Sequence, residues 1–450
     1  MAPCWCNRIY IHLSWPHTLD FLTVYIPWSF FIKIVAYYSD KYLADGDLDT
    51  VSIDFTQTKK CILPWIHFNV ETDGNVYPCC EADQRLEPLG NINEMKFDDI
   101  WNGDRYLKLR NQMINEEEPE YCKGCYHREK NLPPVVRSKR IRENTTWSQY
   151  WARTTSARVN STIPYVDLRF NNLCNLKCRF CYPTASSSIA SEQKQIGLIP
   201  EDSSLLRQTD SANVFEMLEK NINDLEEIYF VGGEPLIMEQ HYKLLKMLID
   251  SGNTNVRLRY NTNVSRFHYK SENVLDYWKH FDNISVNASV DHYGKKLEYI
   301  RHGVVWNEIL SNLQIISRMP NITLKIHCLL CVFNALDIFE IFQTFVSLGI
   351  VKEKNFDIGL LFEPEYYSVQ SLNPSLKPLV EESVNKIISD FPNVDEYFKM
   401  NLSRIVKHMH EEDKWVQNLN RFKENTNTLD KIRNENFLIT FPELRAHIYG

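Results

Sequence analysis

The sequence predicts an α/β protein built on a partial (β/α)6 TIM-like barrel, with a small cysteine-rich auxiliary α+β domain before it and a helical C-terminal region. Three observations carry the prediction. Six short runs rich in β-branched and aromatic residues alternate with helical patterns between positions 161 and 365, as parallel β/α units require. Most of the 12 cysteines gather in two groups, one ahead of these runs and one directly after the first. Beyond residue 365 the strand-like runs stop and the chain turns charged and helical. The expected divisions are an N-terminal extension (1–55), the cysteine-rich domain (56–130), a linker (131–160), the barrel (161–365) and the helical region (366–450).

Bulk properties set the class. A chain of 450 residues exceeds one ordinary core, and 44% hydrophobic with 24% charged residues is a globular composition. A formal charge of −8 leaves no general electrostatic footprint for nucleic acid. Clustered cysteines with metal-like spacing favour ligation in a reducing compartment over disulfides, so a cytoplasmic protein is expected.

In the extension, Phe21 to Tyr38 is an apolar run of 18 residues, about 27 Å as a helix against about 30 Å of bilayer hydrocarbon. Pro27 inside it, which costs about 3 kcal/mol in a helix interior, and Lys33 near its end argue against a span. No cleavage site follows. Membrane contact is not expected, and Cys4 and Cys6 read as incidental.

From Cys61 the chain alternates apolar and polar residues up to Asp73-Gly74 and resumes with Val76 and Tyr77, a β-hairpin with an Asp-Gly turn. The hairpin returns Cys79 toward Cys61. With Cys122-Lys-Gly-Cys125 it makes a four-thiolate set, which suits tetrahedral zinc or an iron–sulfur cluster alike. Cys80 is a neighbour that could replace Cys79. Pro133-Pro134 followed by Arg137, Lys139, Arg140 and Arg142 reads as a linker running into an exposed, solvated helix.

The six expected strands are Tyr165 to Phe170, Glu227 to Val231, Val256 to Tyr260, Ile284 to Ser289, Thr323 to Val332 and Phe356 to Leu361. Helical patterns fall between them at Asn213 to Asn221, Tyr242 to Ile249, Trp306 to Arg318 and Leu336 to Leu348. Barrel chemistry sits at the carboxyl ends of strands, and the polar motifs fall there. After the first strand comes Cys174-Asn-Leu-Lys-Cys178-Arg-Phe-Cys181. Seven extended steps would cover about 25 Å, so three converging sulfurs must curl around something, and an iron–sulfur cluster has the size. Such clusters normally take four thiolates, so three leave one iron open. After the second strand Gly232-Gly233-Glu234-Pro235 permits close backbone approach beside a carboxylate. The third strand ends in Asn261-Thr-Asn263 and the fourth in Ser289-Val-Asp291, followed by Glu298-Tyr-Ile-Arg301-His-Gly303. Asp291 also reads as a helix cap. Cys328 and Cys331, within the fifth strand, would point to opposite faces and read as core. The tail offers helices at Leu379 to Ile388 and Val394 to His410 and a closing Phe441-Pro-Glu-Leu444 segment; no cofactor motif is read there, and its acidity reads as solvation.

The three-cysteine loop, with Phe180 as the aromatic before its third cysteine, resembles the signature of the radical S-adenosylmethionine (SAM) enzymes. The resemblance implies a 4Fe-4S cluster on Cys174, Cys178 and Cys181 whose open iron chelates SAM, and reductive cleavage to a 5′-deoxyadenosyl radical that abstracts hydrogen from a substrate. It implies SAM contacts at Gly232, Gly233, Glu234, Pro235, Asn263, Ser289, Asp291 and Arg301. Cys61, Cys79, Cys122 and Cys125 resemble the ligands of a SPASM or twitch domain, implying an auxiliary 4Fe-4S cluster. The family usually places that domain after the core; here it precedes it. By the same resemblance the substrate is a peptide or protein side chain, with a carbohydrate or nucleotide-derived small molecule as the alternative, and a flavodoxin or ferredoxin supplies electrons. A non-catalytic, zinc-stabilised binding module is the rival of another class.

Overall fold

The computed structural model describes residues 54–131, 139–209 and 211–449. The N-terminal apolar run with Cys4 and Cys6, and Pro133-Pro134, lie outside them. Phe55–Gly450 forms one compact unit. None of its described helices is long and apolar enough to cross a membrane.

The centre is a nine-stranded sheet. Its first strands come from the cysteine-rich segment: β1 (His67–Val70), β2 (Asn75–Tyr77) and β3 (Gly90–Asn91). After β4 (Tyr165–Leu168) the short β5 (Lys177–Cys178) lies in the cysteine loop, and β6 (Glu227–Phe230) and β7 (Arg257–Thr262) follow. An outlying hairpin joins β8 (His268–Tyr269) to β9 (Glu272–Asn273). The remaining strands are β10 (Ile284–Ser289), β11 (Arg301–His302), β12 (Ile322–Leu330) and β13 (Phe356–Leu360). The large sheet runs β13-β12-β10-β7-β6-β4-β1-β2-β3. Six of its strands are the expected parallel ones.

Their sequence explains the layering. Along β7 and β10 buried residues (Leu258, Tyr260, Thr262; Ile284, Val286, Ala288) alternate with half-buried polar ones (Arg257, Arg259, Asn261; Ser285, Asn287, Ser289). Period-two alternation sends the first set to one face and the second to the other. The apolar face packs with crossover helices such as Glu239–Asp250, Trp306–Ile316 and Ile338–Ser347, whose buried sides supply Leu244, Leu248, Leu313 and Phe342. The opposite, concave face keeps the polar residues.

Two features differ from expectation. The cysteine-rich segment does not stand apart from the barrel: β1 pairs in parallel with β4, from His67↔Tyr165 to Val70↔Leu168, and so lengthens the barrel's own sheet. The basic stretch is only partly a solvated face: Arg137 lies outside the described residues and Arg142 is exposed, but Lys139 and Arg140 are not. In the helix Lys139–Thr146, Arg140 and Asn144 are buried. Arg140 donates to the carbonyls of Thr58 (2.6 Å) and Lys60 (2.9 Å) and from Nε to Glu129 (2.9 Å). Unpaired carbonyls at a chain turn are costly to bury, and a five-donor guanidinium satisfies several at once.

Candidate active site and metal centres

The turn after β6 fixes the cysteine loop by backbone contact. Gly233 N donates to Asn171 O (3.2 Å) and Glu234 N to Leu173 O (2.7 Å). Gly232 has φ +121°, and a Cβ on Gly233 would lie 2.1 Å from Leu173 O. Only two glycines admit this approach. Pro235 opens a short 3-10 turn and is buried.

Glu234 itself faces inward. Its carboxylate accepts from Thr262 Oγ1 (2.6 Å), Asn263 N (2.7 Å) and Leu236 N (3.1 Å), tying the glycine turn to the end of β7. Burial raises its pKa to about 7, against the lowering effect of these donors. Asn263 Nδ2 then reaches Asn175 Oδ1 in the cysteine loop (3.2 Å), and Asn175 Nδ2 reaches Ser265 Oγ (2.9 Å).

The end of β10 meets the loop from the other side. Asp291, fully buried, accepts from Arg301 Nε (2.6 Å) and from Leu329 N (2.8 Å). Arg301 donates from Nη1 to Cys178 Sγ (3.6 Å) and lies over the Phe180 ring at 5.6 Å. It stands on β11, which pairs with β5 through Arg301↔Cys178. Ser289 ends β10 beside His327 of β12. Asp291 thus anchors an arginine and does not cap a helix.

Cys174, Cys178 and Cys181 converge. Burial pushes the Cys174 and Cys181 thiols up to about 12, and each also feels the charge of Cys178. In the auxiliary region burial pushes Cys61 up to about 12 and drives Cys79 and Cys122 well above the usual thiol range. Cys61 feels Cys125, and Cys79 and Cys122 both feel Cys61. Arg128 Nη2 donates to Cys125 Sγ (3.4 Å). Cys80 lies beside Cys79, whose thiol it raises further, and besides burial it feels Lys139, Asp167 and Arg169.

The family model of the iron–sulfur cluster-binding SPASM domain matches residues 61–126, and that of the radical SAM superfamily matches residues 168–344. The chain is a radical SAM enzyme with a SPASM domain ahead of its core. These two domains imply SAM and 4Fe-4S clusters, and such enzymes need a reductant. It is similar to an S-adenosyl-L-methionine-dependent 2-deoxy-scyllo-inosamine dehydrogenase of Niallia circulans, at 31% identity over 93 residues, 20% of this chain and 37% of the relative. It is also similar to an S-adenosylmethionine-dependent nucleotide dehydratase of Lacinutrix mariniflava, at 25% identity over 152 residues, 33% of this chain and 29% of the relative. The chain therefore spans 37% of the first relative's length and 29% of the second's. A solved structure, native anSMEcpe with bound AdoMet and the Kp18Cys peptide, aligns at 18% identity and a TM-score of 0.35 over 51% of this chain and 62% of that one.

The donor sets of this radical SAM enzyme fit their clusters. Among the described residues no three His, Cys, Asp or Glu side chains are placed to hold a single metal ion. Thiolates in sets of three and four are the soft donors that iron–sulfur clusters take. Thiols that are neutral and water-poor when free become thiolates once iron supplies the positive charge.

Three features of the radical SAM core escaped the sequence reading. Cys331 lies past the end of β12 at Leu330, so strand alternation does not separate it from Cys328; both are fully buried all the same. Asn69, Asp167 and Tyr229 line up across β1, β4 and β6 on the concave face, where Asn69 Oδ1 and both Asp167 carboxylate oxygens are buried without a hydrogen-bond partner. Parallel pairing of β1 with β4 creates that row, and no local spacing announces it. The third feature is the tail: the helix Trp415–Arg433 and the turn after it carry acidic side chains onto the cysteine loop.

Proposed function

We propose that Cys174, Cys178 and Cys181 hold the SAM-cleaving cluster, that Cys61, Cys79, Cys122 and Cys125 hold the auxiliary one, and that the substrate is a small hydroxyl-rich molecule, carbohydrate or nucleotide-derived. Bound there, the core cluster and SAM supply a 5′-deoxyadenosyl radical that takes a hydrogen atom from the substrate. The protein's part is positional. The glycine turn and the end of β7, pinned together by Glu234, offer backbone edges to the SAM amino group; Ser289 and Asn263 supply polar contacts at strand ends, and Phe180 shields the third cysteine. Arg301, fixed by Asp291, holds a positive charge against Cys178.

The observation that carries the substrate reading is the row of unpartnered acceptors, Asn69 Oδ1 and both oxygens of Asp167, on the concave face. An unmet buried acceptor costs about 1–3 kcal/mol. Arg169, 3.6 Å from Asp167, is shared with Glu71, which it meets at 2.7 Å, and burial still raises the Asp167 pKa; neutral hydroxyls would complete the row without adding charge. The two relatives, a 2-deoxy-scyllo-inosamine dehydrogenase and a nucleotide dehydratase, support the same class. A peptide or protein side chain is the second reading, supported by the SPASM domain itself.

Anaerobic reconstitution with iron and sulfide, followed by a reductant and SAM, is expected to yield 5′-deoxyadenosine. Polyols and nucleotides are expected to stimulate it above peptides, with a product lighter by two hydrogens or by water. A fully loaded protein that yields no 5′-deoxyadenosine refutes the cleavage reading; stimulation by peptides alone refutes the substrate reading.

A further inference from the structure

The cysteine loop is held from outside the core by one turn of the C-terminal region. Arg179, between Cys178 and Cys181, has a fully buried guanidinium. It lies 3.5 Å over the Tyr299 ring, donates from Nε to Tyr299 O (3.1 Å), and donates from Nη2 to Asp430 (2.6 Å) and Glu435 (2.5 Å). The same two carboxylates reach further. Asp430 accepts from Tyr299 Oη (2.7 Å) and from Phe437 N (2.6 Å), while Glu435 meets His302 Nδ1 at 2.7 Å. His302 stands on β11, opposite Lys177 of β5.

Between the two carboxylates, Arg433 forms a buried fork with Glu192 of the helix Ser187–Gln195, which follows the cysteine loop (3.0 and 2.7 Å). Asn434 takes a left-handed conformation (φ 53°, ψ 44°) that ends the helix Trp415–Arg433 and turns Glu435 back to the loop. The contacts that Asp430, Arg433 and Glu435 make with Arg179, Glu192, Tyr299 and His302 bridge about 130–260 residues of chain. A bidentate guanidinium–carboxylate pair fixes orientation as well as charge, and buried pairs are weakly screened.

We propose that the turn Asp430–Glu435 is a positioning element for the SAM-cleaving cluster: it holds the loop Cys174–Cys181 in its ligating shape and sets the charge beside it. Asp430 and Glu435 bond Arg179, and Arg433 bonds Glu192. They act through Arg179 and Glu192. Lys177, Arg179 and Arg433 balance Glu192, Asp430 and Glu435, so removing one carboxylate leaves net positive charge, which favours the reduced form of a nearby iron–sulfur centre. The inference rests on Cys174, Cys178 and Cys181 being the core ligands.

The test uses the full chain with Glu435→Gln, which keeps shape and removes charge, and Glu435→Asp, which keeps charge and shortens reach. In the reconstituted protein the core cluster is recognised by the change in its electron paramagnetic resonance on adding SAM, and its midpoint potential is measured without SAM. Glu435→Gln is expected to shift that potential upward with the auxiliary cluster unmoved, and Glu435→Asp to leave it near the parent value. In the iron-free protein both variants are expected to speed amide hydrogen exchange in residues 174–195 without speeding it in 61–126.

A SAM-responsive cluster whose potential and loop exchange ignore Glu435→Gln overturns the proposal, as do equal changes at both clusters. Absence of any SAM-responsive cluster in the parent overturns the ligand assignment instead. Should Glu435→Gln fail to fold, Arg179→Lys replaces it. That variant keeps the charge and loses the fork, so faster loop exchange with an unmoved potential supports the positioning role, and unchanged exchange overturns it.

Discussion

Gly233→Ala tests the contact on which the core site depends. The added Cβ would fall 2.1 Å from Leu173 O and 2.5 Å from Leu173 C, where ordinary contact begins at 3.4 Å, so the two backbones must part by about 1.3 Å (3.4 minus 2.1). The atoms in the way are backbone, which cannot swing aside as a side-chain tip can. Overpacking of this kind costs about 1–3 kcal/mol. Parting the chains also strains Gly233 N to Asn171 O and Glu234 N to Leu173 O, each worth about 0.5–1.5 kcal/mol net. The total, about 2–6 kcal/mol, is a large part of a stability that is typically about 5–15 kcal/mol. Leu173 precedes Cys174, so the displacement enters the cysteine loop directly. The expected outcome is a lower denaturation midpoint in the iron-free protein, and after reconstitution a loss of core iron that exceeds any loss of auxiliary iron. Gly124→Ala is the control: no heavy atom lies within 4 Å of its Cβ and it sits in the helix Lys123–Asn131, so a gain of up to about 1 kcal/mol is expected. A Gly233→Ala protein as stable and as iron-rich as the parent would refute the reasoning.

Cys79→Ser is expected to abolish the auxiliary cluster, taking the reconstituted chain from about eight irons to about four, whereas Cys80→Ser keeps them; iron and sulfide analysis decides between the two neighbours. Glu234 carries a pH dependence of definite sign. Its folded pKa, raised to about 7 from 4.5, means that the folded state holds the proton more tightly, so stability falls as pH rises from about 4.5 to about 7. The loss is about 3 kcal/mol at 1.36 kcal/mol per unit. Glu234→Gln is expected to flatten denaturation midpoints across that window. Asp167→Asn replaces one acceptor of the concave row by a donor and is expected to raise KM for the stimulating polyol or nucleotide about tenfold or more; an unchanged KM would place the substrate elsewhere.

The sequence shows its strands where side chains alternate. Ile284 to Ser289 has the predicted limits, because period two is written locally in Ile-Ser-Val-Asn-Ala-Ser. The cysteine loop and the glycine turn were legible for a related reason: thiol spacing and paired glycines report a local need. Asp291 was legible as a polar strand end, but its partner, Arg301, and the Cys178 contact depend on β11 folding back on β5. The tail was misread. Asp430 and Glu435 look like ordinary solvated acids in a charged helix, and only tertiary structure brings them to Arg179, about 250 residues away. Lys139 and Arg140 were misread in the same way, since carbonyls that need a donor leave no mark in composition.

The pairing of β1 with β4 also decides what can be removed from this protein. A strand edge without a neighbour is a template for association with other chains. At one end of the six parallel strands β1 covers β4. At the other, Asn401 from the helix Glu396–Glu411 donates to the carbonyl of Ile358 on β13 (2.8 Å). Both seals come from outside residues 161–365. A core excised at those limits would bare two edges at once, so the smallest stretch that keeps the barrel to itself runs from the SPASM hairpin to the C-terminal helices.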